Sequence, residues 1–406
     1  MIQLTKKHSF SFITISGLLF LISPILSIPF IFRGLKNRNY SAFFFYALVL
    51  GTFAYIMLPY QDLYRHSLNY YSWDGVPFDH IKFIDLMLNG LITYVEWFMV
   101  NYDIPFEYLR FFEIIIAFLL LSKIFNYLLV KTNRDYTNIQ LFNRLLIFLL
   151  FFDFFYTAEG TRFGFALSFY LYGVHALIDL NSKWKCTFFV VIAGLIHLSF
   201  IFLSPIVFFL YNLKLQKYQA LVLVVILFFV FGVLISQFAY LLGSRAEWYF
   251  SNKEGGVASY SAMTTFGLIG FFMPKLAAIP FILLLFRYYD KNNRWNRMSL
   301  AWLIISMITL INPVLFYRII WVFMAMGIYL LLSIEQVKII NTKLISYMII
   351  GGLIFISVNT MRYSYSMIRS PLITKIFFSP VVLFSSQPYF DKTWLNQNVK
   401  PDGYPR

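Results

Sequence analysis

The chain has 406 residues, of which 60% are hydrophobic, 21% aromatic and only 13% charged. Soluble domains carry about 25% charged residues, so this composition excludes an ordinary globular protein. Apolar runs recur with lengths close to the roughly 20 residues that a helix needs to cross a bilayer. The sequence therefore predicts an all-α polytopic integral membrane protein with about 10–12 transmembrane helices, one or two re-entrant or broken segments, and an outer-face layer of loops and helices.

The formal net charge is +15, from 33 basic and 18 acidic residues. Part of this excess is the positive-inside bias of membrane proteins, and part could serve an anionic substrate. The single cysteine, Cys186, excludes an intramolecular disulfide and a thiolate metal cluster. No internal repeat is visible, which argues against an inverted-repeat transporter.

The clear predicted spans are apolar runs bounded by polar or basic loops. In chain order they are residues 10–32, 40–59, 108–130, 142–157, 161–180, 219–242, 263–286, 298–315, 319–334 and 344–359. Pro274 and Pro280 interrupt the seventh of these spans, which also contains Lys275.

Two further segments, residues 84–100 and 187–210, do not fit a simple alternation of spans. The basic loops before and after each segment would both be cytoplasmic only if the segment did not cross. We expect 84–100 to be a re-entrant or outer-surface helix. We expect 187–210 to be a broken helix that dips in and returns, with breaks at Gly194 and Pro205 and with His197 near its tip. The alternative lets both segments cross and puts Arg162 on the cytoplasmic side.

This layout predicts one membrane domain, residues 1–361, with outer loops at 60–83 and 243–262. Residues 362–406 form a basic, aromatic tail that contains five prolines, the first of them Pro371. We expect the tail to lie at the outer face, on the membrane or against the outer loops.

Ionisable side chains inside apolar segments are the first candidates for a site, because placing one at the bilayer centre costs about 2.5–3.5 kcal/mol. Arg162 suits phosphate oxygens, although a salt bridge to Glu159 one turn away would explain it equally simply. His197 could act as a base or a proton shuttle, or it could be a neutral core histidine. His175, in the middle of a predicted helix, is better explained as a packed core residue.

Three other groups are candidates. Arg318, beside Tyr317 at a predicted outer turn with Asn312 and Pro313, could bind phosphate or lie at the interface. Asp62, Arg65 and His66 would share one face of a helix in the first outer loop and could form an acid/base pair or a local ion pair. Arg245 and the span containing Lys275 are weaker candidates for anion binding.

The layout resembles the Wzy/EpsG family of bacterial polysaccharide polymerases. The resemblance extends over most of the chain and consists of order and spacing. Its residues are the loop DLYRHSLNYY at 62–71, then Thr161, Arg162, Phe163 and Gly164 opening a later span, then His197 with Ser199, and last Tyr317 with Arg318. Phe163 stands where that family usually has glutamine.

The resemblance implies a membrane glycosyltransferase that polymerises undecaprenyl-pyrophosphate-linked repeat units into O-antigen or a similar surface polysaccharide. The growing glycan would be transferred to a hydroxyl of the incoming lipid-linked unit. Each side chain then has an expected role. The candidates are His197, Asp62 and His66 for catalysis, Arg162, Arg318, Arg65 and Arg245 for pyrophosphate binding, and Tyr64, Tyr70, Tyr71, Trp73 and Tyr317 for sugar binding.

Such a protein would lie in the bacterial inner membrane as a multi-pass protein with its active site facing the periplasm or outside. Its partners would be the lipid-linked glycans and membrane lipids, with a chain-length regulator and a flippase as further candidates, and no nucleic acid. We predict no cofactor and no metal. An O-antigen ligase with the same lipid donor, and a lipid-linked oligosaccharide flippase or transporter, remain as alternatives.

Overall fold

A computed structural model describes residues 6–36, 39–60, 62–80, 91–132, 136–159, 162–238, 265–385, 390–401, 403 and 405–406. Nearly all of this part of the chain is helical, and no strand occurs within it. The predicted all-α fold class is confirmed.

The nineteen α-helices of the described residues are numbered in chain order. They are α1 Lys6–Ile22, α2 Pro24–Lys36, α3 Tyr40–Ile56, α4 Asp62–Tyr71, α5 Ile92–Asn101, α6 Phe106–Lys131, α7 Asn138–Phe151, α8 Phe154–Glu159, α9 Arg162–Ile178, α10 Lys183–Ile196, α11 Ser199–Asn212, α12 Lys217–Phe238, α13 Thr265–Phe272, α14 Ile279–Tyr288, α15 Arg294–Ile308, α16 Pro313–Glu335, α17 Thr342–Ile368, α18 Pro380–Phe384 and α19 Lys392–Asn398.

Five helical stretches in this part of the chain are long and apolar enough to cross a membrane. They are Phe106–Lys131, Asn138–Ala158, Leu268–Tyr288, Leu315–Glu335 and Thr342–Met361. Shorter apolar helices flank them. The third stretch contains a 3₁₀ segment, Met273–Ala278, where Pro274 interrupts the α-helical hydrogen bonds, as the sequence predicts.

The prediction of one span over residues 10–32 is wrong. Helices α1 and α2 form a hairpin instead, since the Phe12 ring stacks on Phe30 at 4.9 Å. A Cβ atom at Gly34 would lie 2.1 Å from the Phe12 ring. The turn is at Ser23, because the following Pro24 disfavours helical backbone at the residue before it.

Contacts between loops define two opposite ends of the helix bundle. At one end, which we call the Glu335 face, Lys131 binds Asp179 at 2.9 Å and Arg144 binds Glu335. Arg294 also donates to the carbonyl of Ile178 there, at 3.0 Å. The loops that follow α6, α9 and α16, all predicted to be cytoplasmic, therefore lie at a single face. The opposite end, which we call the Arg162 face, contains the start of α9.

The prediction that residues 187–210 dip and return is confirmed, but the predicted breaks at Gly194 and Pro205 are wrong. The helix breaks at His197 and Leu198, and Gly194 and Pro205 lie inside α10 and α11. The first residues of α10 and the last of α11, among them Cys186 and Tyr211, line one cavity and so lie at the same end. Gly194 faces Ile201 across the hairpin so closely that a Cβ atom would lie 2.1 Å from Ile201 Cγ1. Each helix has 14 residues, or about 21 Å, which is less than a bilayer core.

The described part of the other doubtful segment also stays on one side. This part is α5, which has ten residues, or about 15 Å of helix. Trp97 donates to the carbonyl of Val76 at 2.6 Å, and Asn101 donates to that of Trp73 at 3.0 Å. Helix α5 therefore lies against the segment that follows α4, at the Arg162 face.

Two boundaries differ from prediction. Tyr317 and Arg318 lie in the first turns of α16 rather than in the turn before it, because the helix begins at Pro313, a favourable first residue. Helix α17 continues to Ile368, beyond the expected start of the tail. The tail then packs on α4 and α6, where Tyr71 donates to the carbonyl of Phe390 at 3.1 Å and Tyr108 to that of Phe384 at 3.3 Å.

Candidate functional site

An ion pair between Arg162 and Glu96 lies at the centre of the Arg162 face. The guanidinium Nη2 is 3.3 Å from Glu96 Oε1 and 3.5 Å from Oε2. Asn69 of α4 donates from Nδ2 to Glu96 Oε2 at 2.7 Å. The Glu96 side chain is 2% exposed and that of Arg162 is 13% exposed. Three short elements, α4, α5 and α9, are therefore joined by one buried polar contact.

More charge lies on the first turns of α6. Arg110 donates to the carbonyl of Met57 at 2.8 Å and lies 3.8 Å from Glu107. Glu113, one turn further along, interacts electrostatically with Glu96, Arg162 and Arg110. Within the described residues, neither carboxylate oxygen of Glu113 has a hydrogen-bond partner. The region thus contains three buried carboxyl groups and two guanidinium groups, which makes it strongly polar for a protein interior.

The position of Arg162 depends on the close packing of α8 on α9. A Cβ atom at Gly164 would lie 2.8 Å from the Cα of Thr157, so the backbones approach there as only glycine allows. Asp153 caps α8 by accepting from the backbone N–H of Tyr156 at 3.1 Å, and it also accepts from Asn359 Nδ2 of α17 at 2.7 Å. These contacts fix where α9 begins.

His197 lies at the tip of the α10–α11 hairpin, as predicted, and beside the residue that follows Arg162. Its ring makes an edge contact with Phe163, with centroids 5.1 Å apart, and Nδ1 accepts from the backbone N–H of Ser199 at 3.4 Å. The hairpin tip is tied to the start of α5, because the Leu91 N–H donates to the carbonyl of Leu195 at 2.5 Å.

A continuous row of rings leads from Phe163 to Lys275. Trp321 lies 5.7 Å from Phe163, Tyr156 lies 4.5 Å from Trp321, and Tyr317 lies 5.0 Å from Tyr156. The ammonium group of Lys275 lies 4.3 Å from the centroid of Tyr317, within the range of a cation–π contact. The structure therefore connects His197, Arg162 and Tyr317 through aromatic neighbours, although they are far apart in sequence.

The predicted acid/base cluster lies on α4, as expected. Arg65 is exposed and His66 is half-buried. Asp62 begins the helix, and its side chain lies outside the described part of the chain. Asn69 of the same helix binds Glu96, so α4 contributes to the site through a residue that the sequence did not single out.

The predicted sugar-binding aromatics of this region have different environments. Tyr64 and Tyr70 are buried, at 7% and 1% exposed, and the Tyr70 hydroxyl donates to the carbonyl of Ile104. The Tyr70 ring packs α4 against Phe106 at the start of α6, with centroids 5.3 Å apart. Tyr71 and Trp73 are half-buried, and Tyr71 binds the tail. Of the four, Tyr71 and Trp73 are the ones partly accessible from the surface.

Other predicted residues lie as follows. Arg318 is half-buried on α16 next to Tyr317. Arg245 lies outside the described residues, and so does the side chain of Glu159. His175 lies near the Glu335 face, where Nδ1 is 2.9 Å from Asp179 Oδ2, in agreement with its expected structural role.

Sequence reasoning missed Glu96 as the partner of Arg162 and gave no role to Asn69 or Glu113. A signal existed for Glu96, because a carboxyl group in an apolar segment too short to cross needs a buried partner. Burial raises the pKa of Glu96, although Arg162 and Asn69 act in the opposite direction. A carboxylate of raised pKa is suited to accept a proton. No group of three or more metal-ligating side chains occurs within the described residues.

These features define a multi-pass helical membrane protein with a buried, charged site at one end of the bundle. The model of the EpsG family matches residues 92–374, well over half of the chain, and the chain belongs to that family. Membership implies a membrane glycosyltransferase of the polysaccharide polymerase type. No curated protein and no solved structure matches the chain.

Proposed function

We propose that this protein polymerises undecaprenyl-pyrophosphate-linked oligosaccharide repeat units into a surface polysaccharide such as O-antigen. The observation that carries the proposal is the Arg162–Glu96 ion pair, which lies within the family-matched region and in a polar interior at the end of the bundle. A guanidinium and a carboxylate in contact are the two groups that this transfer needs, one for an anionic leaving group and one for a proton.

In this proposal the pyrophosphate of the donor lipid displaces Glu96 from Arg162. A guanidinium fork binds phosphate oxygens in the bidentate manner in which it binds a carboxylate. Entry of the leaving group would therefore release the Glu96 carboxylate at the moment when a base is required. Asn69 would keep that carboxylate in place, because its hydrogen bond does not depend on Arg162.

The reaction step is a substitution at the anomeric carbon of the growing glycan. A hydroxyl oxygen of the incoming unit forms a bond to that carbon, and the bond from carbon to the pyrophosphate oxygen breaks with its electron pair. The hydroxyl proton passes to a base, for which Glu96 and His197 are the candidates nearest to Arg162. Asp62 and His66 on α4 are further candidates, and Arg318 and Arg65 would add positive charge for the two lipid-linked substrates.

The remaining parts of the proposal concern location and partners. The Arg162 face would point to the periplasm or the outside of the bacterial inner membrane, because the basic loops gather at the Glu335 face. Tyr71, Trp73 and Tyr317 would contact sugar rings. A flippase would supply the repeat units, and a chain-length regulator would act on the product.

The test is a gel of lipid-linked and surface glycans from cells in which the gene is deleted and then restored with single variants. Arg162→Ala and Glu96→Gln should give one repeat unit in place of a ladder, with the glycan normalised to the amount of each variant in the membrane. The matched control is Arg287→Ala, which removes an exposed arginine at the Glu335 face and should leave the ladder intact.

Three results would contradict the proposal. A wild-type ladder from Arg162→Ala would remove the pyrophosphate role. Long chains left on the lipid carrier in the deletion strain would indicate a ligase. Repeat units retained at the cytoplasmic leaflet would indicate a flippase.

A further inference from the structure

A groove on the outside of the bundle runs along α6 near the Glu335 face. It has a volume of about 690 Å³ and is lined by polar residues, among them Lys123, Asn126, Tyr127 and Lys131, and by apolar side chains that include Leu119 and Val130. All belong to a helix that is long and apolar enough to cross a membrane. The groove is therefore amphipathic and faces the lipid.

Lys123 is the unusual residue in this groove. Its side chain is exposed, and its position lies eight residues, or about 12 Å, before the end of α6 at Lys131. The ammonium group lies 5.3 Å from the centroid of the Tyr172 ring on α9. Among the described residues, no carboxylate lies within 4 Å of it. A cation–π contact contributes less free energy than the insertion of a lysine within a span costs, so the contact with Tyr172 does not offset that cost alone.

The neighbouring charges do not supply the missing anion. Lys131 is bound to Asp179 Oδ1 at 2.9 Å. The other carboxylate oxygen of Asp179 is within 2.9 Å of His175 Nδ1 and accepts from Trp295 Nε1 at 3.0 Å. Both oxygens of the Asp179 carboxylate therefore have partners other than Lys123, and the groove retains the positive charge of Lys123.

We propose that this groove binds an anionic phospholipid, with its phosphate on Lys123 and an acyl chain along Leu119. Basic pockets between transmembrane helices at this level bind the headgroups of anionic lipids. Asn126 is in reach to donate a second hydrogen bond. A lipid with a net negative charge is preferred to a zwitterionic one, because the groove lacks a carboxylate for a choline or ethanolamine cation.

This site is distinct from the glycan site. Tyr172, the ring beneath Lys123, is ten residues along α9 from Arg162, or about 15 Å. The groove also opens on the outside of the bundle, whereas the Arg162–Glu96 pair is buried. The inference therefore stands whether or not the proposed polymerase activity is correct.

The experiment is native mass spectrometry of the full-length protein, released from nanodiscs of phosphatidylcholine with increasing phosphatidylglycerol. Wild-type protein should retain one phosphatidylglycerol in preference to phosphatidylcholine. Lys123→Met should reduce the retention about fivefold, the equivalent of the about 1 kcal/mol contributed by a lysine near anionic lipid. Lys123→Arg should retain the lipid, and Lys185→Met, at an exposed lysine of the same face, should behave as wild type.

Equal retention of both lipids by the wild-type protein would overturn the proposal. This comparison needs no variant, so it remains decisive even if Lys123→Met fails to fold. The same retention in Lys123→Met as in the wild type would also overturn it. So would a second protein chain held at the groove in place of lipid.

Discussion

The Arg162–Glu96 pair can be tested by a double-mutant cycle on stability, independently of any glycan assay. The perturbations are Glu96→Gln, Arg162→Gln and the two together. At 3.3 Å and an effective dielectric constant of about 20, the attraction between the two charges is about 5 kcal/mol. This value is an upper limit, because both groups are also removed from water.

Removing one partner leaves the other charge buried, which costs about 3–5 kcal/mol for fully buried pairs. Because Arg162 is 13% exposed and Asn69 keeps a hydrogen bond to Glu96, the expected loss for each single variant is about 3 kcal/mol, the lower end of that range. The double variant removes both charges and should lose little more than one single variant. The coupling energy should therefore be about 2–3 kcal/mol.

The assay is the free energy of unfolding in mixed micelles, measured by denaturant titration for the four proteins of the cycle. Arg144 and Glu335 provide the matched control, since this pair is equally buried but lies at the opposite face. Its cycle should show a similar coupling while its folded double variant retains the glycan ladder. The Glu96→Gln/Arg162→Gln double variant should be nearly as stable as either single variant and still lack the ladder. Additive losses for Glu96 and Arg162 would refute the ion pair.

Two further predictions concern the hairpin and the Glu335 face. Gly194→Ala should destabilise the protein by about 1–3 kcal/mol and lower the polymer yield, because the new Cβ would lie 2.1 Å from Ile201 Cγ1. Gly270→Ala is the control and should change neither, because a Cβ there has nothing within 4 Å. Equal melting temperatures for the two variants would contradict this prediction. The pKa of Asp179 is lowered: burial acts to raise it, but hydrogen bonds from His175 and Lys131 outweigh burial. The stability advantage of the wild type over Asp179→Asn should therefore be fully present above the ordinary aspartate pKa of about 3.9 and decrease as pH falls below it towards the lower folded value; an advantage that does not decrease at all below about pH 3.9 would show that it is not electrostatic.

Local chemistry predicted the helices and most of their ends well. Pro274 marked the 3₁₀ interruption of its span, and the basic loops on both sides of residues 187–210 predicted that this segment returns to the face where it began. Both predictions depend on effects that act within a few residues. Proline lacks the backbone N–H that an α-helix needs, and lysines are costly to move through a bilayer.

The errors involved partners that are distant in sequence. Residues 10–32 have the length and apolarity of one span, and Phe12 and Phe30 show no sign in the sequence that they will stack. Helical spacing suggested Glu159 for Arg162, and the side chain of Glu159 lies outside the described residues; no local pattern paired Arg162 with Glu96, which is 66 positions away. Nor did the sequence show that the Tyr70 hydroxyl binds the carbonyl of Ile104. Each of these contacts is set by tertiary packing.

The segments that were hardest to interpret from sequence are the ones that form the site. Helices that stop short of the opposite face leave backbone N–H and carbonyl groups unsatisfied inside an apolar region. Here the start of α5 and the tip of the α10–α11 hairpin satisfy each other, through the hydrogen bond from Leu91 to Leu195. Glu96 and His197, carried by those two elements, are thereby held close to the start of α9 and Arg162. Segments that are too short to cross and that contain ionisable residues are therefore the best guide to the site in a chain of this kind. Such segments end inside the bundle, and their polar groups come together at the place where they end.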